Sequence, residues 1–164
     1  MKSAVQAGLV LGLTVLVWTL IHGFTGWYKD PAMSQTFWIV IPIQVIIMVR
    51  MLKNTKKLGY EYGKQVMAGM LMSLVAGAII FVGSYLIETV VFPTYTADLK
   101  AMAERMWTAQ GKTPEQIQTA MAQQAGMMTP LMSSCMGFVG TIVTGLIVSL
   151  VGAAFVRHRP APAA

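Results

Sequence analysis

Four long apolar segments dominate the pattern of hydrophobic and polar positions along the chain. A helix rises ~1.5 Å per residue, so ~20 apolar residues cross the ~30 Å hydrocarbon core of a bilayer. The second segment is the shortest and contains Pro42 and Gln44. The pattern predicts an all-α fold, a four-transmembrane-helix bundle that forms a single membrane domain over residues 1–164. The predicted spans are residues 4–26, 34–51, 66–92 and 130–156.

The segment between the third and fourth spans, residues 94–129, is polar but periodic. Apolar side chains recur at helical spacing in its first half: Leu99, Met102, Ala103 and Met106. Gly111 is a natural end for that helix. The sequence Thr113-Pro114-Glu115-Gln116 then provides an N-cap threonine, a proline at the first helical position and a capping-box glutamine. We therefore expect two short amphipathic helices here.

Composition supports a membrane protein. Hydrophobic residues make up 55% of the chain and charged residues 11%, with a mean hydropathy of +0.63. This balance is unsuited to a water-facing surface. The net charge of +6 then concerns topology and anionic headgroups, so the expected partner is the lipid bilayer and not nucleic acid.

The distribution of basic residues predicts the topology, because Lys and Arg accumulate on the cytoplasmic side. Alternate connections split twelve basic residues eight against four. The larger group is Lys2, Arg50, Lys53, Lys56, Lys57, Lys64, Arg157 and Arg159, and the smaller is Lys29, Lys100, Arg105 and Lys112. Both termini should be cytoplasmic, and residues 94–129 extracytoplasmic.

The N-terminus has one feature of a secretory signal, Lys2 followed by an apolar run from Ala4 to Ile21. No small-x-small cleavage site follows it. Trp27 and Tyr28 come next, and such rings settle at membrane interfaces. We expect this segment to be retained as a spanning helix.

Three stretches resemble a known family: Gly8-Leu9-Val10-Leu11-Gly12, the basic connection from Arg50 to Gly63, and the segment from Lys112 to Pro130. With the final span and its Arg157-His158-Arg159 end, they resemble the bacterial membrane proteins grouped as domain of unknown function 4199. The resemblance covers nearly the whole chain. It implies four helices in a bacterial inner (cytoplasmic) membrane, and no established activity, cofactor or catalytic residue.

Glu88 is the one acidic residue inside a predicted span, and an intramembrane carboxylate is a candidate functional group because burying it charged is costly. Glu88 lies five residues before Pro93, and His22 lies five before Trp27. The predicted topology brings both near the outer face, where a Glu–His pair is suited to proton relay or cation binding. The favoured alternative is that both side chains are hydrated at the interface.

Pro42 and Gln44 raise a transport hypothesis, because broken helices line substrate sites in transporters. No matching interruption occurs in the other half of the chain. A proline kink stabilised by neighbouring helices is the better interpretation.

The methionines raise a metal hypothesis, since thioether and thiolate ligands select copper(I). The best cluster is Met127, Met128, Met132, Cys135 and Met136. Helical spacing also makes it an ordinary packing face. We expect no metal and no cofactor.

Small residues recur every fourth position in three spans, which lets helix backbones approach closely. These ridges comprise Gly8 and Gly12 in the first span, Gly69, Ser73 and Gly77 in the third, and Gly137, Thr141, Gly145, Ser149 and Ala153 in the last. The sequence does not say whether they pack within one chain, between copies or against a partner.

The chain lacks a phosphate-binding loop, a His-Glu-x-x-His motif and a nucleophile elbow, so we expect no enzyme. The leading hypothesis is a membrane protein that acts through helix packing, as an accessory subunit of a membrane-protein partner or as a homo-oligomer. The alternative is a small transporter or proton/ion-relay protein that uses Glu88, with or without His22.

Overall fold

The computed structural model describes residues 1–156, so Arg157 and Arg159 of the charge count lie outside the described residues. Four of its helices are long and apolar enough to cross a membrane. Within the described residues the chain is helical, without strands. The helices are α1 (Lys2–Thr25), α2 (Pro31–Lys57), α3 (Tyr62–Val91), α4 (Tyr95–Ala109), α5 (Pro114–Gln124) and α6 (Pro130–Val156).

Helix α2 is longer at both ends than the segment 34–51 that hydropathy marks. Its start is fixed by Asp30, whose carboxylate accepts hydrogen bonds from the backbone of Ala32 and Met33. A 3₁₀ turn over Gln35–Ile39 follows the first turn. Pro42 comes three residues later and has no N–H to donate into that turn, which fits the local change of helix type.

Helix α3 packs against both α1 and α6. Towards α1, small residues remove the bulk between the backbones. A Cβ at Gly8 would lie 2.6 Å from the carbonyl oxygen of Met72, and one at Gly12 would lie 2.9 Å from Cβ of Ile79. Such distances are shorter than van der Waals contact, so this close approach requires glycine.

Towards α6, the ridges of α3 and α6 interlock. Gly69 faces Ser149, Ser73 faces Gly145, and a Cβ at Gly77 would lie 2.9 Å from Cδ2 of Phe138. Thr141 and Ala153 are buried on the same face of α6, and Gly137 lies against Ile80. The ridges therefore pack within one chain, which settles the question that the sequence leaves open.

Most outward side chains of the four long helices are apolar and exposed, as expected of surfaces that contact lipid tails. The buried interior holds apolar side chains contributed by α1, α2 and α3. Residues 1–156 thus form a multi-pass helical bundle.

Helices α4 and α5 lie beyond one end of the bundle, which we call the cap end. It is the end at which α1 and α3 finish and α2 and α6 begin. The helix start expected at Thr113 is present: its hydroxyl accepts from Gln116 N, and the Gln116 side chain accepts from Thr113 N. The opposite end holds Met1, whose ammonium group donates to the hydroxyl of Tyr60.

Candidate functional site

Glu88 lies in a π-helical turn, Ile87–Val91, that ends α3 at the cap end. The turn closes with a hydrogen bond from Phe92 N to Ile87 O, five residues back, at 2.8 Å. Pro93 then prevents the helix from continuing. A π turn widens the helix by one residue, and such turns are frequent at functional sites. The local geometry thus directs Glu88 into the bundle instead of letting it reach solvent.

The Glu88 side chain is only 6% exposed. This corrects the favoured sequence interpretation, in which the carboxylate is hydrated at the interface. The hydroxyl of Ser133, in the first turn of α6, donates a hydrogen bond to Glu88 Oε1 at 2.8 Å. No basic side chain within residues 1–156 forms an ion pair with it.

The surroundings of Glu88 define what the group can bind. The hydroxyl of Ser133 and the positive end of the α6 helix dipole favour an oxygen anion there. Neither supplies a full positive charge, and a buried carboxylate without a counter-charge is costly. A bound proton or a small cation would supply that charge.

His22 is also buried, at 4% exposure, although the favoured sequence interpretation is a hydrated side chain. Its Nε2 lies 3.0 Å from Oγ1 of Thr36 on α2. Three aromatic rings surround the imidazole, those of Trp18, Trp27 and Phe37, with ring centroids 5.2 to 5.5 Å away. His22 is therefore held by α1, α2 and the connection between them.

The Glu–His pair considered from the sequence is not formed. Both residues are near the cap end, but Glu88 bonds to Ser133 and His22 to Thr36, without an ion pair between them. No cluster of three or more His, Cys, Asp or Glu side chains suited to a metal occurs in the part of the chain that the structure describes. The two groups are separate sites in this conformation.

A polar cluster at the cap end holds α4 against the connection between α1 and α2. The buried Tyr28 donates to Asp98 Oδ2 at 2.8 Å, and Lys29 Nζ pairs with the same oxygen at 3.0 Å. Thr94 donates to it as well, at 3.1 Å. The hydrogen bond from Lys29 holds the pKa of Asp98 below its ordinary value, and that of Tyr28 adds to the effect.

Tyr95 adds an aromatic contact to this cluster. Its ring lies against that of Tyr28, with centroids 4.6 Å apart. Burial raises the pKa of Tyr95 to about 12, and the negative charge of Glu88 contributes in the same direction. Tyr28 therefore holds the first turn of α4 through the Tyr95 ring as well as through Asp98.

The protein family follows from the sequence once this geometry is described. A family model with the description "Protein of unknown function (DUF4199)" matches residues 6–158. The chain belongs to DUF4199. No curated protein and no solved structure matches it.

The methionine cluster of the DUF4199 protein does not form a buried site. Met127, Met132 and Met136 are exposed, and Cys135 is half-buried. The buried residue of that turn of α6 is Ser134. These methionine side chains therefore lie on the outer surface, away from the interior of the bundle.

Gln44 is buried in the DUF4199 bundle, where its Nε2 donates to the carbonyl oxygen of Thr141 at 2.9 Å. The same amide nitrogen would lie 3.4 Å from a Cβ at Gly145. Gln44 thus ties α2 to the contact between α3 and α6. It lies in packed protein, which is unlike the cavity-lining role that the transport hypothesis assigns to it.

Several residues of the site are not identifiable from the sequence. Serine hydroxyls in helices commonly bond to the carbonyl four residues back, as Ser134 does to Pro130 O at 2.8 Å, but Ser133 bonds to Glu88 instead. In the sequence, Tyr28, Asp98 and Tyr95 look like ordinary polar residues of the segments that connect helices. Gln65, fully buried near the other end of α3, has no side-chain partner within residues 1–156.

Proposed function

We propose that this DUF4199 protein is a non-enzymatic proton- or cation-relay protein whose working group is Glu88. One observation carries the proposal: a carboxyl group buried inside a membrane span, in a π turn, with a serine and no basic residue as its partner within residues 1–156. Ionisable groups in such positions mark ion and proton sites because they are costly to keep otherwise.

The packing beneath Glu88 supports exchange from the cap end. Ser73 and Gly145 touch where α3 meets α6, and Gly69 touches Ser149 one turn further. Backbones this close leave no room for a water-filled path along the seam. A proton or cation would therefore reach Glu88 from the cap end, and crossing the bilayer would require the seam to open.

The small-residue ridges give little support to packing against a partner or a second copy, because they are used between helices of one chain. One observation supports a role as an accessory subunit. Helix α5 packs against α4, and it has no buried residue. Its surface is therefore open to a membrane-protein partner or a second copy of the chain.

The placement in the cell belongs to the same proposal. The excess of basic residues at the end opposite the cap supports a bacterial inner-membrane protein with both termini cytoplasmic. Cysteines introduced at Lys112 and Lys56 should react with a membrane-impermeant reagent from opposite sides. Labelling of both from one side would refute this topology.

Liposome reconstitution tests the relay. With a pH or cation gradient across the bilayer, wild-type protein should carry flux, and Glu88→Gln should abolish it while leaving the protein folded. Glu115→Gln is the matched control, since Glu115 is an exposed carboxylate of α5. Equal flux from wild type and Glu88→Gln would overturn the proposal. Copurification of a stoichiometric partner from a mild detergent would favour the accessory role.

A further inference from the structure

A second feature of the cap end lies apart from Glu88. An open cleft of about 660 Å³ separates α4 from the connection between α1 and α2. Ligand sites in proteins commonly have volumes of about 300 to 1,000 Å³. One wall is formed by Gly26, Lys29 and Asp30 of the connection and Pro31, the first residue of α2. The other is formed by Met102, Arg105, Met106 and Ala109 of α4 and Gln110, which follows it.

The cleft has an apolar wall and a basic rim. Met102, Met106 and Ala109 form the apolar part, and Met102 and Met106 belong to the periodic apolar face of α4. Arg105 is exposed and has no ion pair within residues 1–156. Lys29 pairs with Asp98, and 51% of its side-chain surface stays exposed at the cleft.

Asp30 also lines the cleft and carries a negative charge, and one of its two carboxylate oxygens is engaged at the start of α2. Its Oδ1 accepts two backbone hydrogen bonds at the start of α2, at 2.8 and 3.2 Å. The cationic groups at the rim are the guanidinium of Arg105 and the ammonium of Lys29. A guanidinium presents paired donors that match a phosphate group.

The position of the cleft relative to the bilayer narrows the choice of ligand. Gly26 follows the last residue of α1, and Pro31 is the first residue of α2, so the cleft opens where two spans leave the hydrocarbon. Trp27 and Tyr28 lie in the same connection, as expected for rings that settle at the membrane interface. A connection between two spanning helices that starts at the edge of the hydrocarbon lies in the headgroup region, which contains the lipid phosphates.

We propose that the cleft binds a glycerophospholipid. Arg105 and Lys29 bind its phosphate, and the glycerol and the first methylene groups of its chains contact Met102, Met106 and Ala109. The bound lipid would fill the space between α4 and the connection. The lipid would thereby hold α4 at the membrane surface, in addition to the Tyr28–Asp98 contact.

The test is a titration of the full-length protein, in detergent, with phosphatidylglycerol, followed by native mass spectrometry of the one-lipid adduct. Wild type should bind saturably, and Arg105→Gln should bind about tenfold more weakly, equivalent to a loss of ~1.4 kcal/mol. Lys100→Gln is the matched control, because it removes the same charge from α4 outside the cleft. Its affinity should stay within about twofold of wild type.

A neutral lipid separates the phosphate contact from general apolar binding. Diacylglycerol with the same chains should bind at least about tenfold more weakly than phosphatidylglycerol. Equal affinity for the two lipids, equal losses in Arg105→Gln and Lys100→Gln, or adducts that never saturate would each overturn the proposal. Arg105 is exposed, so circular dichroism should show that its variant is folded.

Discussion

Ser73 on α3 and Gly145 on α6 lie directly opposite each other, so close that a Cβ at position 145 would overlap the Ser73 hydroxyl. The Ser73 hydroxyl donates its hydrogen to Gly69 O of its own helix at 3.0 Å. The hydroxyl oxygen itself lies against Gly145. Since lipid tails provide little hydrophobic drive for association between helices, such close packing is a main source of stability in a membrane bundle.

The first prediction concerns this contact. Gly145→Leu should destabilise the bundle by about 1–3 kcal/mol or more, because its side chain has no space between α3 and α6. Gly140→Leu is the control, since Gly140 lies on the same helix and a Cβ there would meet no atom within 4 Å. Denaturation in mixed micelles would measure both, and equal effects would contradict the packing described.

The second prediction concerns the partner of Glu88. Ser133→Ala removes the hydrogen bond to the buried carboxyl group and should cost about 1–3 kcal/mol of unfolding free energy. It should also alter proton or cation exchange at Glu88. Ser134→Ala removes a bond made within α6 and should affect stability less and exchange not at all. Unchanged exchange in Ser133→Ala would count against the role of this bond.

The third prediction is a pH dependence of the contact between α4 and the connection before α2. The pKa of Asp98 is lowered by Lys29, so this stabilisation is present above the ordinary carboxyl value of ~3.9 and is lost as the pH falls through the lowered one. The pKa of Lys29 is raised by the bond to Asp98, so its contribution is lost as the pH rises above ~10.4 through the raised value.

Hydrogen exchange of the α4 amides would measure this contact. At neutral pH, Asp98→Asn should speed exchange in α4, while Glu104→Gln, an exposed carboxylate of the same helix, should leave it unchanged. In wild type the protection of these amides, corrected for the pH dependence of intrinsic exchange, should fall in acid below the carboxyl range. Protection that is independent of both Asp98 and pH would show that other contacts hold α4.

The fourth prediction separates packing from chemistry at His22. His22→Phe keeps an aromatic ring among Trp18, Trp27 and Phe37 and loses the bond to Thr36, at a cost of about 0.5–1.5 kcal/mol. His22→Ala also leaves a cavity and should cost about 2–5 kcal/mol. Near-ultraviolet circular dichroism of the tryptophans would follow the site. If His22→Phe is stable but carries no flux, the imidazole has a chemical role.

The sequence determines which parts of this chain can cross a bilayer, because hydropathy is a sum over neighbouring residues and needs no knowledge of the fold. It also determines the start of α5, since Thr113 and Gln116 form their capping box within one helical turn. The small-residue ridges are likewise visible as a spacing along each helix.

Tertiary structure alone decides what those features contact. Ser133 reaches Glu88 across 45 residues of sequence, and Gln44 reaches Thr141 across 97. Whether Glu88 is hydrated or buried depends on a π turn and on the position of α6. A periodic pattern in the sequence specifies neither of these. The same is true of the ridges, whose partner is set by how α1, α3 and α6 assemble around one another.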